Sequence, residues 1–242
     1  MPEHYYLGLT KAQYQRILSE VPRLSNKHRG SFALAAYLMK LRTGDSDERM
    51  SALLQVPRST LERHMNMARE ILNQDFVPRN VGINHISRRN SSNGLYGGEA
   101  RSPIIIADGT YIYIEKSSNY LYQKKTYSLH KYRNLVKPFL FVCSDGYNID
   151  ILGPYSATTS DADIINNEFG DESSALRQYF EPGDVFILDR GFRDSLPLLE
   201  RCGYQVHVPL SPEDGESQLS TRDANKSRAV TMCRWVVEVT LL

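Results

Sequence analysis

Three acids in the chain occupy positions where an acid is costly or exceptional. Asp108 interrupts the apolar run from Pro103 to Ile114, beside Ile106, Ala107 and Tyr111. Burying a carboxylate there costs several kcal/mol unless a cation or hydrogen bonds compensate, so Asp108 is a candidate site residue. The local alternative is a turn aspartate in an Asp-Gly hairpin. Asp189 follows the fully apolar Val185 to Leu188, at the C-terminal end of what reads as a buried parallel strand, where open α/β sheets bind ligands. Glu238 shares a helical face with Arg234 and Trp235, and its local reading is an exposed glutamate paired with Arg234 four residues back. Asp145, in Ser144-Asp145-Gly146-Tyr147, reads as a turn residue of a hairpin. Ser160 or Asp161 suits the cap of the helix that follows, and a cap is the local reading of Asp161.

A second chemistry is written in cations. From Lys116 to Lys137 the chain carries Lys116, Lys124, Lys125, Lys131, Arg133 and Lys137 without an acid, interleaved with Tyr120, Tyr122, Tyr127 and Tyr132. Such a surface suits nucleic acid; a solvated hairpin face is the alternative. Further forward, Asp47 to Gln55 and a stretch from Ser59 read as two helices, separated by Val56-Pro57-Arg58, which cannot continue the first. Ser59-Thr60-Leu61-Glu62 has the spacing of a capping box. Leu61, Met65, Ala68 and Leu72 then face inward, and Thr60, Arg63, His64 and Met67 face outward at the N-terminal end, as on a recognition helix. Arg58, Ser59, Thr60, Arg63 and His64 are therefore candidate DNA contacts, with Arg58 on a phosphate. A helix pair that merely packs remains the alternative.

The elements that must hold these residues follow from periodicity and punctuation. Thr10 to Gln13 has capping-box spacing ahead of a helix at about Lys11 to Glu20. Ser31 can cap an almost wholly apolar helix, Phe32 to Leu41, that should be buried, with Gly44 as its left-handed terminator. In the back half, a buried strand carries Asp108 and continues through Tyr111 to Ile114. A hairpin of Phe139 to Cys143 and Asn148 to Leu152 comes next, then a helix from Ser160 to Phe169, the Val185 to Leu188 strand, a helix at Leu196 to Cys202, a strand at Gln205 to Pro209 and a last helix from about Asp223. Acids on the first strand, the fourth strand and the final helix of a mixed α/β sheet are the arrangement of an RNase H-like nuclease core. The predicted organisation is a small all-α helix-turn-helix region (1–78), a linker (79–102) and an RNase H-like α/β domain (103–242).

Composition limits the alternatives. Over 242 residues, 41% apolar and 24% charged with a net charge of +1 exclude wholesale disorder. The longest apolar run, Phe32 to Met39, is far short of the ~20 residues of a membrane span, and the N-terminus lacks a signal pattern. Cys143, Cys202 and Cys233 form neither a disulfide framework nor a zinc motif, which fits a reducing intracellular compartment. Charge divides unevenly: residues 1–100 hold 14 Lys/Arg against 9 Asp/Glu, and residues 101–242 hold 15 against 19. A basic front suggests contact with a polyanion, and an acidic back concentrates carboxylates for another task.

Asp108-Gly109-Thr110, Lys124-Lys125-Thr126-Tyr127-Ser128-Leu129-His130-Lys131, Ser160-Asp161, Gly183-Asp184-Val185 through Asp189-Arg190-Gly191-Phe192, Asn225-Lys226-Ser227-Arg228 and Arg234-Trp235-Val236-Val237-Glu238 resemble, in this order, the DDE superfamily endonucleases, most closely the Harbinger-type transposases and host proteins derived from them. The likeness covers roughly Ser46 to Glu238. It implies that Asp108, Asp189 and Glu238 are the catalytic acidic triad and ligands to divalent cations, Mg²⁺ or Mn²⁺, with Asp108 bridging two ions and Asp189 and Glu238 each holding one. It implies DNA as substrate, cut by water or joined by a DNA 3′-hydroxyl, a nuclear location, and room for a separate DNA-binding partner protein or an oligomer. Lys124, Lys125, Lys131 and Arg133 would hold DNA phosphates. The chain stops four residues past Glu238, where relatives continue the helix, so the nuclease domain reads as shortened there. A domesticated DNA- or partner-binding protein that keeps the fold and cuts nothing is the rival reading.

Overall fold

The structure, a computed structural model, describes residues 3–86, 103–212 and 218–240; the side chains of residues 3–4 and 238–240 also lie outside the described set. The chain divides into two compact units, Met1–Asn80 and Val81–Leu242. Most of the expected linker, residues 87–102, is outside the described residues. Its leading part is not free chain: Gly82 donates to the Ile149 carbonyl, and Ile83 and Ile86 pack on the core of the second unit.

The first unit is all helical: α1 Glu3–Leu7, α2 Lys11–Glu20, α3 Pro22–Ser25, α4 Gly30–Thr43, α5 Asp47–Leu54, α6 Arg58–Asp75 and α7 Val77–Asn80. The Thr10/Gln13 capping box forms as expected, and Gly44 ends α4 in the left-handed region at φ 66°. Ser31 does not cap α4. The helix starts at Gly30, two residues before the expected Phe32, after a left-handed Arg29, and Ser31 instead meets the Tyr14 hydroxyl through its carbonyl and side chain. Gly30 is required there, because a Cβ would fall 1.7 Å from the Leu24 carbonyl oxygen. α4 buries Ala33, Leu34, Ala36 and Met39 but leaves Leu41 exposed. α5 and α6 are joined by a tight turn whose Gln55 is left-handed at φ 53°. The Ser59 capping box does not form: α6 begins at Arg58 behind Pro57, without a side-chain cap. Proline's fixed φ suits the position before a first helical turn, and the Glu62 carboxylate is drawn to Arg58.

The second unit is built on a sheet. Its strands are β1 Ile104–Gly109, β2 Ile112–Tyr113, β3 Tyr127–Ser128, β4 Arg133–Cys143, β5 Asn148–Ser156, β6 Val185–Ile187 and β7 Gln205–His207. β5, β4 and β1 pair antiparallel, and β1, β6 and β7 pair parallel, giving the order β5-β4-β1-β6-β7. This mixed sheet is consistent with an RNase H-like fold. Short β2 and β3 pair with the start of β4, and a helix, α8 Tyr120–Thr126, lies between them in sequence. The expected buried continuation of the first strand through Tyr111 to Ile114 is not found; Ile112 and Tyr113 are each 54% exposed.

Alternation along the strands sends side chains to two different cores. Ile105, Ala107, Phe139, Phe141, Phe186 and Leu188 pack on one face against α9 Asp161–Gly170, α10 Ala175–Tyr179, a 3₁₀ turn Arg190–Ser195 and α11 Leu196–Arg201. Ile106, Leu140, Val142 and Ile187 pack on the other, against Val230, Cys233, Val236 and Val237 of α12 Thr221–Thr240. Fully burying each aliphatic or aromatic side chain contributes roughly 1.5–3 kcal/mol, so both faces are firmly committed.

Candidate active site

The register between β1 and β6 places two of the acids side by side. Ile106 is opposite Ile187, and both point into the α12 core. Two residues further along each chain, side chains return to the same face: those residues are Asp108 and Asp189. α12 presents Val230, Cys233 and Val237 to that face, and Arg234 belongs to the same helical stripe. Its guanidinium stands between the two carboxylates, 2.8 Å from Asp108 Oδ2 and 3.6 Å from Asp189 Oδ2. The two oxygens are therefore no further apart than those lengths laid end to end.

The electrostatics of the pocket follow from burial. Desolvation pushes the Asp108 carboxyl up to about 6 from an ordinary 3.8; Asp189 and Asp161 nearby push the same way, while the charge and hydrogen bond of Arg234 oppose them. Arg234 is itself largely buried, and its Nε has no hydrogen-bond partner among the described residues. Arg234, whose spacing also suits a pair with Glu238, is drawn to the two aspartates. Glu238 lies one turn beyond Arg234 on α12, and its side chain is outside the described residues.

Each aspartate needs a glycine beside it. Asp189 accepts from the Gly191 amide at 2.5 Å, and a Cβ on Gly191 would come within 2.9 Å of that carboxylate. Arg190 between them donates to the Pro209 and Leu210 carbonyls, tying the turn to the chain beyond β7. Gly109 faces the other side of the sheet, where a Cβ would lie 2.5 Å from Asp161 Oδ1. Asp161 is not the cap of α9; Ser160 caps it, in a capping box with Asp163. The Asp161 carboxylate instead takes the buried Lys137 ammonium at 3.1 Å, and the same Nζ donates to the Thr159 carbonyl at 2.7 Å. A buried ion pair thus backs the strand end that carries Asp108. Lys137, read as part of a basic surface, is 5% exposed. The clue was its place in the inward row Leu135, Lys137, Phe139, Phe141, where a lysine must find a carboxylate.

The remaining candidates fall in two places. Lys124, Lys125, Lys131 and Arg133 are exposed, with Lys131 5.6 Å from the Tyr111 ring centroid and Arg133 5.4 Å from that of Tyr113. On α6, Ser59 and Arg63 are exposed and Thr60 is half-buried. Arg58 is engaged by Glu48 and Glu62. His64 does not face outward: it is 9% exposed, Nδ1 lies 2.7 Å from the Thr60 carbonyl, and its ring packs edge-on against Phe32. Met67 also turns inward, onto the helical core.

Residues 107–241, more than half of the chain and the segment that contains Asp108, Asp189 and Arg234, match the family model of the DDE superfamily endonucleases. The chain belongs to that family. No curated protein and no solved structure matches it. The family generally uses divalent metals, and no group of three metal-ligating side chains is found among the described residues of this endonuclease domain. What is found fits such an ion: two hard-oxygen carboxylates converge on a point already holding positive charge, in the form of a guanidinium with one unsatisfied buried nitrogen. Oxygen donors of this kind suit Mg²⁺ or Mn²⁺. No helix among the described residues is long and apolar enough to cross a membrane.

Proposed function

We propose that the chain is a divalent-metal-dependent DNA endonuclease of transposase descent, in the Harbinger-type branch of its family, acting on phosphodiester bonds in the nucleus. The observation that carries the reading is the convergence of Asp108 and Asp189 on one cationic group. These two acids, with Glu238 from α12, would hold Mg²⁺ or Mn²⁺, which when bound supplies activation of a water or a DNA 3′-hydroxyl and stabilises charge on the leaving oxygen. Arg234 compensates the two carboxylates and keeps them facing each other. Lys137 and Asp161 brace the end of β1 from behind, so the position of Asp108 is set by a rigid element. Lys124, Lys125, Lys131 and Arg133 would neutralise DNA phosphates, a sequence-independent contribution that weakens with salt. In the first unit, the pair α5 and α6 would act as a helix-turn-helix through Ser59, Thr60 and Arg63, with Arg58 exchanging Glu48 and Glu62 for a phosphate. His64 supports the helix from inside.

Supercoiled plasmid incubated with Mn²⁺ tests the proposal. The wild-type chain is expected to nick or linearise it, and Asp108→Asn to reduce the rate at least 100-fold, the size of effect seen when a group that stabilises charge in the transition state is removed. Equal nicking by both proteins, or none by either, would count against it.

A further inference from the structure

The segment between β1 and β4 leaves large side chains in solvent while its backbone is firmly held. Tyr120 is 72% exposed, Leu129 80% and Tyr132 78%. Yet α8 is capped by the Asn119 side chain, Asn134 Nδ2 donates to the Gln123 carbonyl and to Thr126 Oγ1, and the Ala157 amide and Ser156 hydroxyl both donate to the Lys125 carbonyl. The rings are therefore presented by a scaffold rather than by a loose loop. Tyr120 and Leu129 border a cleft of about 640 Å³ that Tyr127, His130, Lys124 and Thr158 also line. Its volume is within the ~300–1,000 Å³ range of small-molecule sites.

Two features select the occupant. The surroundings are cationic: Lys116, Lys124, Lys125, Lys131 and Arg133 are exposed, and Glu115 is the single acid between Asp108 and Asp145. The cleft also shares a loop with the Lys137–Asp161 pair that backs Asp108, since Thr158 lines it, the Thr159 carbonyl binds Lys137, and Ser160 caps the helix bearing Asp161. Flat rings between lysines are the combination that stacks bases while holding their phosphates. We propose that this cleft receives an unstacked DNA base, so that the domain engages single-stranded or locally opened DNA in preference to intact duplex. The inference rests on the proposed function for the choice of DNA, and its test is independent of cleavage.

In EDTA, the full chain is titrated by fluorescence anisotropy with a single-stranded oligonucleotide, a duplex bulged at 2-aminopurine and the matched duplex. Tighter binding of the first two and a change in 2-aminopurine emission on binding are expected. Tyr120→Ala with Leu129→Ala, both solvent-facing changes whose folding is checked by circular dichroism, should lose that preference by roughly ten-fold while matched-duplex affinity holds; Tyr120→Phe should retain it. Equal affinity for all three DNAs, unchanged emission, or an unaffected double variant overturns the proposal. So does a double variant that changes only self-association in sedimentation, which would make a second copy the occupant. Asp108-dependent nicking without base capture sinks this inference alone, and base capture without nicking sinks the nuclease reading alone.

Discussion

Burial holds the Asp108 carboxyl at about 6 although Arg234 works in the opposite direction. Between its ordinary 3.8 and about 6, the folded chain keeps a proton that the unfolded chain has released, so the contribution of this group to stability is full below that window and is lost as pH rises through it. Asp108→Asn, which is neutral at every pH, should therefore stabilise the metal-free protein by roughly 1–3 kcal/mol at pH 8 and leave it unchanged near pH 4; urea unfolding in EDTA at the two pH values measures this. An unchanged stability at pH 8 would mean that Arg234 compensates the carboxylate fully. Behind it, Lys137→Met leaves Asp161 without its cation and should cost ~1–3 kcal/mol, with Asp161→Asn recovering part in the double variant, as a thermodynamic cycle would show. Asp108 stood out in the sequence because an acid among Ile106, Ala107 and Tyr111 demands compensation. The compensating residue did not, because Arg234 and Glu238 have a helix spacing that satisfies both locally, and only the fold carries Arg234 to the sheet.

At the scale of elements, the site depends on a register. Ile106 opposite Ile187 brings Asp108 and Asp189 onto one face, and α12 must lie across that face through Val230, Cys233 and Val237. Val237→Asp should therefore disrupt the α12 contact, expose Ile106 and Ile187, raise binding of an apolar dye, and abolish nicking although no acid is touched. The strands and most helices were readable because apolar alternation and punctuation agree with the final core. The errors came where two local signals competed. Pro57 starts α6 two residues before a Ser59 cap would, Ser31 is claimed by Tyr14, and β2 is too short to bury the Tyr111 to Ile114 run. The inward turn of His64 sorts the candidate contacts of α6. Arg63→Ala should weaken DNA binding and lower the slope of log affinity against log salt by about one. His64→Ala should instead lower the stability of the helical unit by ~1–2 kcal/mol while leaving that slope unchanged, as titrations at several salt concentrations would show.

For the molecule as a whole, the helical unit has its own cores, one around Leu24, Leu34 and Ala68 and another around Met50, Leu61 and Met65. A fragment of residues 1–80 should fold alone, with a helical spectrum and a cooperative thermal transition; a non-cooperative melt would show that it needs the rest of the chain. The mixed α/β character of the sheet was legible because β strands, helices and breakers alternate in an order few folds accommodate. The entry of Arg234 into the pocket of the two aspartates was not, since 126 residues separate it from Asp108. In the proposed function the two aspartates form one cation site, held by Arg234 until a metal replaces it. Calorimetric titration of Mn²⁺ into the full chain addresses that claim directly. Saturable binding is predicted, weakened at least ten-fold by Asp108→Asn or Asp189→Asn and strengthened by Arg234→Gln; the same Mn²⁺ affinity in all four proteins would contradict it.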